Sequence, residues 1–243
     1  MAVQEFFRRT ELLLGADAVA AFARTRVAVF GVGGVGGWCA EALVRSGIGR
    51  LTIVDDDMVA PSNLNRQLPA TSRTIGRAKV EVLRERFLEI NPDLSIDAIC
   101  TRYTPETSAT FDLAACDCVV DAIDSVACKA HLLRTAAAVE SIALFSSMGA
   151  AGRVDPSRIR ATPFGEVRGD GLARALRQRF KRDGARPARD FTCVWSEEPA
   201  HSNGERRPED GVANGSFMPV TAAFGLRLAA LVLASAATSG TTP

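Results

Sequence analysis

The run Gly31-Val-Gly-Gly-Val-Gly36 constrains this chain more than any other feature. It directly follows the apolar stretch Arg26–Phe30 and leads into a helix-period stretch from Trp38 to Arg45. Glycines let the backbone turn sharply and approach a phosphate, while the first turn of the helix offers unpaired N–H groups and positive potential. A second apolar run, Leu51–Val54, ends in three acids, and Asp55 stands 24 residues after Gly31. An acid at the end of that strand accepts from ribose hydroxyls. Together the loop and the acid predict a nucleotide site on a parallel βαβ scaffold.

The rest of residues 26 to 150 keeps the same alternation, which predicts an α/β fold. We expect a Rossmann-like, mostly parallel sheet with helices on both faces. A helix over 76–90 would put Val80, Leu83, Phe87 and Ile90 on one face and stop at Asn91-Pro92. Strands are expected over 94–100, 118–123 and 141–147, with a helix over 127–139. Residues 151 to 216 are rich in Arg, Pro and Gly and predict an Arg-rich crossover or insert with one helix, over 172–180. The apolar stretch Met218 to Ala236 is interrupted by Arg227. A central Arg costs about 2.5–3.5 kcal/mol in a membrane span, so a C-terminal helix buried on the core is expected, without stable membrane insertion.

A glycine loop with an acid behind it ordinarily suggests a dinucleotide enzyme. Three features point to ATP instead: the double glycine Gly33-Gly34, the polar segment Asp55-Asp-Asp-Met-Val-Ala-Pro-Ser-Asn-Leu-Asn-Arg-Gln67, and Asp121-Ala-Ile-Asp124 at the end of a later strand. Arg66 and Lys79 can neutralise a polyphosphate, and Asn63 adds a neutral hydrogen bond. Asp124 suits Mg²⁺, which takes one or two carboxylates beside phosphate oxygens and water. Each residue alone has a plainer reading: a solvated surface cation, or for Asp124 a helix cap.

In this order, GVGGVG, DDDMVAPSNLNRQ, Gly76-Arg-Ala-Lys79 and DAIDS closely resemble the ubiquitin-activating-enzyme-like superfamily that includes ThiF and MoeB, whose members adenylate a carboxylate with Mg-ATP. The resemblance spans residues 6 to 236. It implies that Gly34 contacts the nucleotide, Asp55 the ribose, Asn63, Arg66 and Lys79 the phosphates, and Asp124 the metal. Gly31, Gly33, Gly36, Asp57 and Ser125 complete the cofactor-binding set. Arg9, in Phe7-Arg-Arg-Thr10, looks like the arginine that such enzymes lend across a homodimer; a second Arg often stands where this chain has Phe6.

ThiF- and MoeB-like activators of sulfur carriers usually hold zinc with two Cys-x-x-Cys pairs, and this chain has none. RTELLLG, DAIDS with Lys129 after it, Met148-Gly-Ala-Ala-Gly-Arg-Val-Asp-Pro156 and Thr192-Cys-Val-Trp-Ser-Glu197 instead resemble the tRNA threonylcarbamoyladenosine dehydratase branch. That branch implies adenylation of the carboxylate of the modified base next to the anticodon, then ring closure with loss of AMP and net dehydration. It also implies a homodimer, with a monovalent cation and a cysteine desulfurase system as further associates. Activation of a ubiquitin-like sulfur carrier remains the alternative. On this basis 1–243 reads as a single ATP-binding adenylation domain, with a nucleotide core at 26–150, a basic substrate-facing segment at 151–216 and a returning helix at 217–236.

The formal charge of +1 conceals an asymmetry. Residues 1 to 150 carry 15 basic and 18 acidic groups, whereas 158 to 189 carry ten basic and three acidic, a net of +7. A polyanionic RNA needs such a surface, and Arg174, Arg177, Lys181 and Arg182 are the candidate tRNA contacts. Six cysteines without disulfide spacing, and an opening MAVQEFFRRTELLLG without a continuous apolar core, predict a cytoplasmic protein with no signal peptide. Cys193, expected in a polar segment beyond the sheet, is the one cysteine with a conceivable thioester role; a structural thiol is the plainer reading. His131 is read as structural, and His201 as a loop residue.

Overall fold

A computed structural model describes residues 5–201 and 215–239. Part of the predicted basic segment, 202–214, lies outside the described residues. Two helices, α1 (Arg8–Leu14) and α2 (Ala16–Arg24), precede β1 (Arg26–Phe30), α3 (Gly36–Ser46), β2 (Arg50–Val54), α4 (Lys79–Ile90) and β3 (Ser95–Ile99). Then come β4 (Cys118–Asp121), α5 (Val126–Ala137), β5 (Ala143–Ser147), β6 (Ile159–Pro163), α6 (Gly171–Arg182), β7 (Thr192–Ser196) and α7 (Met218–Ser239).

Among the described residues, seven strands form one sheet in the order β3-β2-β1-β4-β5-β7-β6, parallel except for the antiparallel edge pair β6–β7. Both faces are covered, so the inner strands are buried on alternate residues in both directions. Val27 and Val29 of β1 enter the cluster beneath α3 and α7, while Ala28 and Phe30 enter the one beneath α5 and α6. The chain order reverses between β1 and β4, and ligands of open α/β sheets sit at that switch point, beyond the strands' C-terminal ends.

The 151–216 stretch is not a helix-only insert: β6 and β7 extend the sheet. They escape sequence reading because β6, Ile-Arg-Ala-Thr-Pro, is a half-buried edge strand, and β7 is five residues in polar surroundings. Cys193 consequently lies inside β7, fully buried, rather than beyond the sheet. The helix expected from Gly76 starts at Lys79, since Gly76 adopts a left-handed turn with φ +84°.

Helix α7 is long and apolar enough to cross a membrane, and half of it is buried in the protein. Val220, Phe224, Leu228 and Val232 pack into the core, while Leu226 and Arg227 stay exposed. At Gly225 the helix meets α3 so closely that a Cβ there would stand 2.4 Å from the Val35 carbonyl oxygen. Only glycine allows that approach.

Candidate active site

The switch point opens into a cleft of about 1400 Å³. Ligand pockets commonly hold about 300–1000 Å³, so this one has room for a nucleotide and for part of a second reactant. The loop after β1 forms its floor. Gly31 turns with φ +83°, and a Cβ on Gly36 would fall 1.8 Å from the Gly31 carbonyl oxygen. Gly36 therefore serves by letting α3 pack on the loop, and does not line the cleft, whereas Gly31, Gly33 and Gly34 do.

Asp55 ties this loop to the end of β2. One carboxylate oxygen accepts the Val32 N–H at 2.8 Å and the other accepts the Asp57 N–H at 2.9 Å. Each oxygen keeps a lone pair for a further donor such as a ribose hydroxyl. Burial pushes the Asp55 carboxyl up, and Lys79 and the two N–H groups pull it back. Lys79 is itself buried; its Nζ lies 2.6 Å from Asp57 and 3.9 Å from Asp55. The oxygens of Asp55, Asp56 and Asp57 lie close enough to bracket a cation. Lys79 already supplies one there, so the cluster requires no metal.

Arg66 is half-buried and also lines the cleft. Its Nη1 donates to the Ser62 carbonyl at 2.9 Å and to Asn65 Oδ1 at 2.8 Å, and Trp38 fixes its backbone through a 3.1 Å bond to the Arg66 carbonyl. A Cβ on Gly34 would stand 3.4 Å from Arg66 Cγ, so the cation borders the phosphate loop. Asn63 does not line the cleft; it is buried, and its Oδ1 accepts the Ala60 N–H at 3.0 Å. Arg9 lies exposed on α1, away from its own chain's cleft.

From the β4 end come Asp124 and Ser125, both on the cleft wall. Asp124 is exposed and takes no hydrogen bond or ion pair among the described residues, which leaves it a free hard-oxygen ligand. The peptide before it is clamped. Asp121 Oδ1 accepts the Ile123 N–H at 3.1 Å, and Lys129 Nζ donates to the Ile123 carbonyl at 3.1 Å. Lys129 and Asp121 pair at 2.7 Å, both fully buried, and Ser146 Oγ donates to Asp121 at 2.7 Å. Lys129 follows DAIDS in the sequence, but its pairing with Asp121 and the Ile123 carbonyl is not legible from motif spacing.

Sequence reading also missed the lobe of the cleft lined by the Ser147–Val154 turn, the Gly169–Leu172 start of α6, His201 and Phe217. Its signal was the Gly149-Ala-Ala-Gly152 run after a strand. Glu198 braces the turn, accepting the Asp155 N–H at 2.9 Å and the Val154 N–H at 3.0 Å, and it pairs with His201 at 2.9 Å. Those backbone donors hold its carboxyl below the ordinary range. Arg153 and Asp170 form a second buried pair at 3.0 Å, and Asp170 also caps α6 by accepting the Ala173 N–H.

Of the basic candidates, Arg174, Lys181 and Arg182 are exposed on α6. Arg177 is half-buried; it donates to the Phe164 and Val167 carbonyls at 2.9 and 2.7 Å and lies 4.9 Å over the Phe164 ring. His131 Nδ1 and the Tyr103 hydroxyl share a 3.0 Å hydrogen bond, and burial pulls the His131 pKa down, away from the charged form.

The ThiF family profile matches residues 7–242. A tRNA threonylcarbamoyladenosine dehydratase of Escherichia coli is 35% identical over 92% of this chain and 90% of its own. One of Bacillus subtilis is 38% identical over 79% and 74%. The crystal structure of the E. coli dehydratase in complex with ATP superposes with a TM-score of 0.88 at 33% identity, covering 98% of both chains. Sulfur-carrier and molybdopterin-synthase adenylyltransferases match less than half of the chain. The chain thus belongs to the ThiF family and, within it, to the tRNA threonylcarbamoyladenosine dehydratases.

Proposed function

We propose that this protein closes threonylcarbamoyladenosine, next to the tRNA anticodon, into its cyclic form at the expense of ATP. The observation that carries the reading is the continuity of one cleft from a phosphate loop, bordered by Lys79 and Arg66, to the start of the basic helix α6. A carboxylate is a poor nucleophile toward a polyanion until charge is masked. Arg66 and Lys79 lie where a triphosphate on the loop would place its charge, and Lys79 would exchange Asp57 for phosphate oxygens. The α-phosphate then takes the substrate carboxylate, pyrophosphate leaves, and the mixed anhydride is attacked by its own tethered side chain, releasing AMP. Proximity drives that closure without an enzyme nucleophile, in accord with a Cys193 thiol that burial pushes far above its ordinary range.

Asp124 fits Mg²⁺ as one carboxylate beside phosphate oxygens and water. When bound, such an ion neutralises phosphate charge and orients the chain of phosphates. A homodimer completes the reading: α1 exposes Leu12, Leu13 and Leu14 beside Arg9, so pairing through α1 would cover apolar surface and bring Arg9 of the partner subunit to the phosphates. Arg174, Lys181 and Arg182 would hold the tRNA backbone, making 26–150 the nucleotide core and 151–216 the RNA-facing part, with the work done in the cytoplasm, where tRNA is. A monovalent cation and a cysteine desulfurase system enter from the family resemblance alone.

Nucleoside mass spectrometry of modified tRNA, before and after incubation with protein and Mg-ATP, tests the reading. Loss of one water per modified nucleoside with matching AMP release is expected; folded protein that leaves the nucleoside unchanged refutes it. Trapping an adenylated small protein would favour the sulfur-carrier alternative.

A further inference from the structure

The lobe at the start of α6 carries a feature to which the reading above gives no role. Among the described residues, Val154 and Phe217 are the large apolar side chains on the cleft wall that remain exposed, at 58% and 47%. The other aromatics on that wall, Phe30 and Tyr103, are sealed in the core.

Phe217 is exposed but not loosely held. The Gly152 N–H donates to the Gly215 carbonyl at 2.8 Å, and Asn65 Nδ2 donates to the Ser216 carbonyl at 3.0 Å. The Phe217 carbonyl itself accepts the Val220 and Thr221 N–H groups, both at 3.1 Å, and so opens α7. With the backbone pinned on both sides, stacking on the ring costs no ordering of the chain that carries it. One turn along α7, Thr221 Cβ lies 3.6 Å from where a Cβ on Gly34 would stand. Phe217 is therefore four residues, about 6 Å of helical rise, from the residue that borders the phosphate loop.

We propose that Phe217 is a stacking platform for an unstacked purine base of a single-stranded RNA loop. This rests on the dehydratase reading above. The carboxylate to be activated hangs from a nucleobase, so that base must sit within a side chain's length of the α-phosphate. RNA loops are bound by splaying bases onto aromatic faces. Two exposed aromatic rings line this cleft, Phe217 and His201, and His201 is engaged with Glu198 at 2.9 Å, which leaves Phe217 as the open face. The start of α6 lines the same lobe, so a backbone held along α6 would deliver its base there.

The test pairs two readouts on Phe217→Ala, Phe217→Leu and Phe217→Trp, with circular dichroism as the check on folding. One is the KM for modified tRNA. The other is titration of an anticodon stem-loop bearing 2-aminopurine at the target position, whose fluorescence falls on stacking. Phe217→Ala and Phe217→Leu are expected to raise KM and stem-loop Kd by roughly 5- to 150-fold, the range of one lost base–aromatic stack. They should abolish the quench and leave ATP affinity within twofold, and Phe217→Trp should restore both. The proposal is overturned if Phe217→Ala binds the stem-loop within twofold of wild type with an equal quench. It is equally overturned if Phe217→Leu matches wild type, since a face-less apolar group would then suffice. The fluorescence arm decides stacking whether or not the wild type turns over, whereas failed wild-type turnover counts against the dehydratase reading.

Discussion

Lys129→Met removes the cation from the most deeply buried ion pair described, and keeps most of the side-chain volume, so little cavity forms. Lys129 and Asp121 are fully buried and 2.7 Å apart. Taking one partner from such a pair costs about 3–5 kcal/mol. At roughly 2–4 °C per kcal/mol for a chain of this size, Tm should fall by ~6–20 °C. Asp121 would keep Ser146 Oγ at 2.7 Å and the Ile123 N–H at 3.1 Å, which places the loss toward the lower end.

The deficit should also depend on pH. Burial already pushes Asp121 up, and Lys129 is its strongest counterweight. Without that counterweight the folded-state pKa rises further above the unfolded value of about 3.9. Folded protein then keeps a proton that the unfolded chain has released, and stability falls as pH rises through that window. Thermal melts should therefore show a larger deficit at pH 8 than at pH 5. Since Lys129 also fixes the Ile123 carbonyl, the Mg²⁺ concentration needed for half-maximal ATP binding should increase. A Tm within 2 °C of wild type at both pH values refutes the reasoning.

Arg66→Ala should lower kcat/KM for ATP by roughly 10- to 100-fold, the value of a charge-assisted hydrogen bond, as read by pyrophosphate release; unchanged turnover would remove Arg66 from the phosphate site. Gly225→Ala should destabilise by about 1–3 kcal/mol in urea melts, because its Cβ would press on the Val35 carbonyl at 2.4 Å. A thiol reagent on native protein should modify exposed Cys100 first. Cys39 and Cys193, and Cys118 with its thiol pushed up to about 12, should react only on unfolding. Leu13→Asp, on the most exposed leucine of α1, should convert a dimer to monomer in sedimentation and reduce turnover by removing Arg9 of the partner subunit; a monomeric wild type would refute the α1 interface.

Features whose cause is local were legible in the sequence. Gly31 and Gly36 are glycines because a loop and a helix meet there, and the close contact is set by six consecutive residues. Asp55 could be placed because strand length fixes where an acid ends β2. Features that depend on a distant partner were hidden. β6 holds Arg160 and Pro163 and is a strand only because β7 pairs with it. Asn63 has the local character of a polar ligand, yet its carbonyl closes a turn through the Ala60 N–H. Lys129 reads as an ordinary helix cation until Asp121 and Ser146 surround it.

Charge shows the same limit. The net +7 of residues 158 to 189 is real as composition, but the fold occupies much of it. Arg160 pairs with Glu197, Arg179 with Asp183, Arg177 donates to two carbonyls, and Arg189 donates to the Val139 and Ile142 carbonyls. Arg174, Lys181 and Arg182, together with Gln178, are exposed at i, i+7, i+8 and i+4, hence on one face of α6. On α6 an RNA backbone would therefore meet a narrow stripe of three cations, of which Arg182 also lies 3.8 Å from Asp183, with exposed Arg186 just beyond the helix. In the reading proposed above, a backbone held along that stripe would run toward the end of α6 that lines the cleft. Here the helix begins in the lobe that holds Phe217.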